Sequence, residues 1–328
     1  RLYFATSPDG EELCLRADLT IPAALKYIES ADSDNMPATY LCEGKVYRAS
    51  PNGEHRNPEF TQIGIERFGT QDEIHTDVEV FLSAITACKI GDNQEFAFEF
   101  SDGGLIDTIL DGAFIYPPWK EYLKSSSKSP NSLKRALKIA CLKDKQEPTA
   151  LEISLLGQDD EAASNTIEEV IELAKLRTGL ARGPYEIAQR LKSRAERALA
   201  KPLKAEIKAA IEEILAIEAS PKKAIKEIVK IAKNLGVDLS NWSKTWEKRL
   251  AEIAKKVPEI EDNSRFVASK NGRFEYYSGF AFDIFAKKDT ELPLATGGRY
   301  DGLIAALTNG GRNAQAMGVV IRPERLGG

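Results

Sequence analysis

The chain has 328 residues, 42% hydrophobic and 29% charged, with 45 Lys and Arg against 50 Asp and Glu and a formal net charge of −5. Such a composition can bury one large or two modest cores, and its acid excess argues against broad, sequence-independent binding to nucleic acid or acidic membranes while leaving room for a small basic patch. No apolar run reaches the roughly 18 residues of a bilayer span, and Arg1 to Glu12 lack the basic and apolar regions of a signal peptide.

The four cysteines, Cys14, Cys42, Cys88 and Cys141, contain no CxxC pair and are too few for a disulfide framework in a chain this long. They are expected to be buried small hydrophobes in a reducing cytoplasm. Only His55 and His75 could join them, and no HExxH, EF-hand or Walker A sequence is present, so no metal site is expected.

In chain order, residues 1–116 mix short alternating segments with helices. Tyr40 to Arg48 and Phe60 to Phe68 have strand character, and Phe96, Phe98 and Phe100 repeat at period two. Between the first two strands, Pro51, Asn52 and Gly53 mark a loop, which suggests an antiparallel pair. Residues 117–257 are rich in Lys, Glu and Ala and carry apolar residues at helical spacing. Leu203, Ile207, Ala210, Ile211, Ile214 and Leu215 form one face, and Ala224, Ile225, Ile228, Ile231, Ala232 and Leu235 another. The second helix should start at Ser220–Pro221 and stop at Gly236. In residues 258–328 strand signals return at Tyr276 to Phe285, at Leu294 to Thr296 and at Met317 to Ile321. Strands at both ends with helices between them imply an α+β domain interrupted by a helical insertion.

On the second strand, side-chain alternation puts Phe60, Gln62, Gly64, Glu66 and Phe68 on one face. Gln and Glu on either side of a glycine suit a small polar ligand lying on the sheet. The same pattern also fits an exposed sheet face with a bulge glycine. Arg48 closes the preceding strand and Arg56 lies in the loop; together they could grip a carboxylate or phosphate, although for a lone Arg a surface salt bridge is the favoured explanation.

Taken together these segments resemble the histidyl-tRNA synthetases. Leu15-Arg16-Ala17-Asp18-Leu19-Thr20 resembles their substrate loop, and Val46-Tyr47-Arg48 with Phe60 to Gly69 resembles class II motif 2. Glu275-Tyr276-Tyr277 is similar to the histidine-specific Asp-Tyr-Tyr motif, Gly297-Gly298-Arg299-Tyr300-Asp301-Gly302-Leu303 matches the next segment without gaps, and Met317-Gly318 through Arg325-Leu326 resembles motif 3. A paralogous family, the regulatory subunits of ATP phosphoribosyltransferase (HisZ), shares these motifs. The middle region also resembles its alphaproteobacterial type, at Phe100 to Asp107, Pro117-Pro118-Trp119 and Gly183 to Arg190, and four departures from the synthetase pattern favour the regulatory family. The sequence ends just after motif 3, so no anticodon-binding domain is expected. The arginine that activates the histidine carboxylate is replaced by Gly272, the adenine-contacting Glu of motif 2 by Ser50, and the motif 3 glycine by Arg322, whose guanidinium would occupy or recharge the adenylate pocket. Removing one transition-state donor costs about two to three decades in rate, so adenylation is not expected to survive.

The resemblance implies a class II synthetase-like fold: an antiparallel sheet flanked by helices, with a core split over 1–116 and 258–328 around a helical insertion at 117–257. It implies a histidine pocket in which Asp18, Thr20 and Gln62 hold the α-amino group, Glu66 meets the imidazole, Tyr276 and Tyr277 line the walls and Arg48 faces the carboxylate. Arg56 and Arg325 would be remnants of an anion or nucleotide site. No catalytic residue, metal or cofactor is implied. The implied partners are the short-form catalytic subunit (HisG) and L-histidine as effector, with a homodimer inside a cytoplasmic hetero-octamer and neither tRNA nor membrane. The alternatives are the catalytic core of a histidyl-tRNA synthetase or a synthetase-like histidine-binding protein with another role.

Overall fold

The computed structural model describes residues 2–30, 34–48, 57–91, 95–142, 147–175, 183–270 and 276–327. The first unit opens with a short antiparallel pair, β1 (Phe4–Thr6) and β2 (Glu12–Cys14), followed by helix α1 (Thr20–Ser30). Asp18 caps α1, its Oδ1 accepting from the Ile21 amide at 3.1 Å. The alternating segments then give β3 (Ala38–Tyr47) and β4 (Glu59–Phe68), paired antiparallel without a bulge from Ala38 opposite Phe68 to Tyr47 opposite Glu59. Helix α2 (Glu73–Cys88) follows, capped by Asp72, and leads to β5 (Phe96–Asp102).

The chain next runs through α3 (Leu105–Gly112), α4 (Pro117–Ser126), α5 (Pro130–Ala140), α6 (Ala150–Leu156), α7 (Asp160–Leu173), α8 (Pro184–Leu199) and α9 (Ala205–Leu215). It continues through β6 (Glu218–Ala219), α10 (Pro221–Asn234), α11 (Ser240–Ala254), α12 (Ile260–Asn263), β7 (Ser264–Val267), β8 (Phe280–Ala286), β9 (Ala295–Arg299), α13 (Leu303–Leu307) and β10 (Ala316–Ile321). Pro221 at the first turn of α10 and Gly236 beyond its end, at φ 78°, fulfil the start and stop read from sequence.

Among the described residues, eight strands form one sheet in the order β3-β4-β10-β9-β8-β5-β7-β6, antiparallel except for β5 against β7. This is the α+β, mainly antiparallel arrangement expected. Contacts divide the chain into two units, Arg1–Thr108 with Glu213–Gly328, and Ile109–Glu212. The helical stretch read over 117–257 is thereby divided. Residues through Glu212 form the second unit, with its own buried cluster of Leu155, Ala163, Ile167 and Ala188, whereas α10 and α11 belong to the first. The reason for the latter is aromatic: Trp246 of α11 lies 5.1 Å from Phe266 and 5.3 Å from Phe280, and the indoles of Trp242 and Trp246 both donate to Asp102 Oδ2 at 2.8 Å.

Helix α2 covers one face of the sheet. Phe81 lies 4.9 Å from Phe282 and about as close to Phe98 and Phe100, so the period-two phenylalanines of β5 serve this core. Within it sits a charged knot. Asp77, fully buried, accepts from Arg249 of α11 and Arg299 of β9, each at 2.7 Å, and Arg299 also reaches Asp301 at 2.9 Å. Glu73, 43% exposed, completes the shell of Arg249 at 2.8 Å. Only Cys88 is buried among the cysteines. Cys14 is exposed and Cys42 and Cys141 are half-buried, which corrects the expectation for those three: Cys14 lies on the thin β1–β2 pair, whose residues are all exposed.

Removing one partner of a buried ion pair leaves the other charge without compensation. Asp77→Asn should therefore lower the unfolding free energy by about 3 kcal/mol, and Glu73→Gln, at the rim, by about 1 kcal/mol or less. Urea denaturation of the two variants checks this; equal losses would contradict it.

Candidate functional site

The face of the sheet opposite α2 carries the polar residues of β4. Glu66 pairs across to Gly318 of β10, Gly318 to Gly298 of β9, and Gly298 to Ala281 of β8. These small residues form a floor on which larger side chains can lie. A Cβ on Gly318 would overlap the Glu66 carboxylate, and one on Gly298 would stand 2.5 Å from the Tyr277 ring. The neighbouring Gly297 faces the other way, where a Cβ would overlap the Phe282 ring. The consecutive glycines of β9 thus serve opposite faces of one strand.

Gln62 and Glu66 are 0% and 1% exposed, and the β3–β4 register is continuous, which excludes the exposed-face, bulge-glycine reading. The Thr20 hydroxyl donates to Glu66 Oε1 at 2.6 Å and the Tyr300 hydroxyl to Oε2. Burial pushes the Glu66 carboxyl up to about 7, against the pull of these two donors and with a small addition from the charge of Asp18. Tyr276, Tyr277 and Tyr300 pack around it: Tyr276 meets Tyr277 at 5.5 Å and Tyr300 at 5.6 Å, both edge to face, and Tyr277 stacks on Tyr300 at 6.5 Å. Burial raises all three phenols above their ordinary value, keeping them neutral donors. Neither amide atom of Gln62 has a hydrogen-bond partner among the described residues. A fully buried amide left unpaired costs free energy that a polar ligand would recover.

The expected residues divide by what already occupies them. Glu66, Gln62, Tyr276 and Tyr277 are carried by the polar face and the aromatic wall above it. Thr20 is spent on Glu66, so it orients the carboxylate. One oxygen of Asp18 is spent on capping α1, and Arg48 donates through Nε to the Ala17 carbonyl at 2.7 Å, tying the end of β3 to the loop that carries Asp18. Arg325 pairs with Asp289 on the β8–β9 connection at 2.7 Å. Arg56 lies outside the described residues, as do Ser50, Gly272 and Glu275. The guanidiniums of Arg322 and Arg48 stand 4.9 and 5.4 Å from the centroid of the Phe60 ring, so Arg322 rests against the ring that begins the polar face.

Tyr300 was given no role in the sequence reading. The signal was present: in Gly297–Leu303 the strand ends at Arg299, which points to Asp77, so the next side chain turns toward Glu66. A buried carboxyl whose pKa lies near 7, an amide without a hydrogen-bond partner among the described residues and three neutral phenols stand together on this face.

This fold and polar face define a class II synthetase-like α+β domain. Residues 3–183 and 167–326 match the family model described as histidyl-tRNA synthetase, and the chain belongs to that family. A curated relative from Sinorhizobium fredii, named ATP phosphoribosyltransferase regulatory subunit, is 28% identical over 316 residues, covering 94% of this chain and 80% of the relative. A crystal structure from Bacillus halodurans, described as an ATP phosphoribosyltransferase regulatory subunit/histidyl-tRNA synthetase, superposes with a TM-score of 0.58 at 19% identity over 99% of this chain and 67% of that one. A chain of the ATP phosphoribosyl transferase (HisG:HisZ) complex from Thermotoga maritima gives 0.51 at 14% identity over 97% and 84%.

A carboxyl whose folded pKa of about 7 exceeds its ordinary 4.5 holds its proton more tightly in the folded state. Its contribution favours folding at low pH and is lost as pH rises through 4.5 to about 7, by up to about 3 kcal/mol. Glu66→Gln should flatten this part of the stability profile, checked by urea denaturation from about pH 5 to about pH 8. An unchanged slope would contradict the assignment.

Proposed function

We propose that this chain is the non-catalytic regulatory subunit of an ATP phosphoribosyltransferase, binding L-histidine on the Glu66 platform and passing feedback inhibition to a short-form catalytic subunit. The observation that carries the reading is the fully buried pair Gln62 and Glu66: an amide without a partner and a carboxyl near neutrality, four residues apart on one strand face. Glu66 accepts from the imidazole, Gln62 and the free oxygen of Asp18 serve the α-amino group, and Arg48 faces the carboxylate. Site groups that stay unpaired with a wrong ligand reject analogues lacking those atoms.

Arg322 against Phe60 supports the loss of the nucleotide half of a synthetase site, because a cation fills the aromatic surface on which a base could rest. The names of the relatives support the partner: the catalytic subunit that condenses ATP with phosphoribosyl pyrophosphate in the first step of histidine biosynthesis. We place the assembly in the cytoplasm as homodimers within a hetero-octamer; among the described residues no helix is long and apolar enough to cross a membrane. Histidine need only favour one quaternary state by about 1–3 kcal/mol.

The test is reconstitution: ATP phosphoribosyl transfer by the catalytic subunit, with and without this chain and with and without millimolar histidine. Stimulation by the chain, with inhibition by histidine only in its presence, is expected. Glu66→Ala should keep the stimulation and raise the inhibitory histidine concentration about tenfold or more. Unaltered feedback in that variant would contradict the pocket assignment.

A further inference from the structure

Away from the Glu66 platform, α10, α11, α12 and the start of β7 enclose a cavity of about 660 Å³. Its floor is apolar: Pro221 and Ile225 of α10, Leu250, Ala251 and Ala254 of α11, and Ile260 of α12. The space persists because α11 presents alanines there, at positions three apart on one helix face, and Ala251 is exposed. Its rim is acidic. Lys222 is engaged by Glu261 at 2.5 Å across the mouth, while Glu247 and Asp262 have no ion-pair partner among the described residues.

An apolar floor under uncompensated acids excludes a phosphate-bearing ligand, whose charge the rim would repel. It suits an apolar side chain flanked by cations. A volume of this size accommodates more than one side chain, the form in which apolar anchors commonly concentrate binding energy at protein interfaces. We propose that this groove docks a segment of the catalytic subunit that presents an apolar anchor beside lysine or arginine. The assignment rests on the regulatory reading above and adds to it the surface through which the two chains assemble. Charge complementarity selects the partner and speeds encounter, and burial of the anchor holds it.

The experiment measures affinity between the full chain and the purified catalytic subunit, with histidine binding by each variant as the control for folding. One variant, Ala251→Trp, fills the groove; a second, Glu247→Lys with Asp262→Lys, reverses the rim without touching the floor. All three positions are exposed, and none belongs to the Glu66 site. Both variants should bind histidine as the unaltered chain does and bind the catalytic subunit at least tenfold more weakly. Retention of full affinity by the charge-reversed variant, with histidine binding intact, would overturn the groove assignment alone. Failure of the unaltered chain to bind the catalytic subunit would overturn the regulatory reading and the groove with it.

Discussion

The carboxyl of Glu66 lies flat over a glycine on the neighbouring strand, and the architecture around it follows from that placement. A carboxyl can be buried so completely only if donors meet it, and Thr20 at the start of α1 and Tyr300 at the end of β9 do so from opposite sides. Through these two bonds a single side chain of β4 ties together the start of the first helix, the interior of the sheet and the end of β9. The same burial keeps the carboxyl near neutrality, where a ligand carrying an imidazole can exchange a proton with it at little cost.

The end of β9 divides its labour by strand alternation. Gly297 and Arg299 face α2, where one admits Phe282 and the other enters the buried knot with Asp77. Gly298 faces the Glu66 side, admitting Tyr277, and Tyr300 turns from the end of the strand toward Glu66. The knot holds the strand end at a fixed height, so the phenol that meets Glu66 is placed by an ion pair on the opposite side of the sheet. A charge network that is costly to bury gains conformational specificity here, because breaking it would release the residue next to the phenol that meets Glu66.

Much of this was legible in sequence because it depends on local rules. Period-two alternation identified the faces of β4, Ser220–Pro221 and Gly236 bounded α10, and the Gln–Gly–Glu spacing drew attention to the platform. What was not legible depends on long-range register. Nothing local says that Glu66 will lie opposite Gly318, that Thr20 will be used up by Glu66 before it can meet a ligand, or that Arg325 will be taken by Asp289. The division of the helical region was hidden for the same reason: α11 looks like any amphipathic helix until Trp246 meets the phenylalanines of three separate strands.

The proposed function requires a site that keeps its amino-acid half and has lost its nucleotide half. Calorimetric titration of the chain with L-histidine and, separately, with ATP tests this most directly. One histidine bound per chain, with no saturable heat from ATP, is the predicted result. Saturable ATP binding accompanied by histidine-dependent pyrophosphate exchange would contradict the account and restore a working synthetase site.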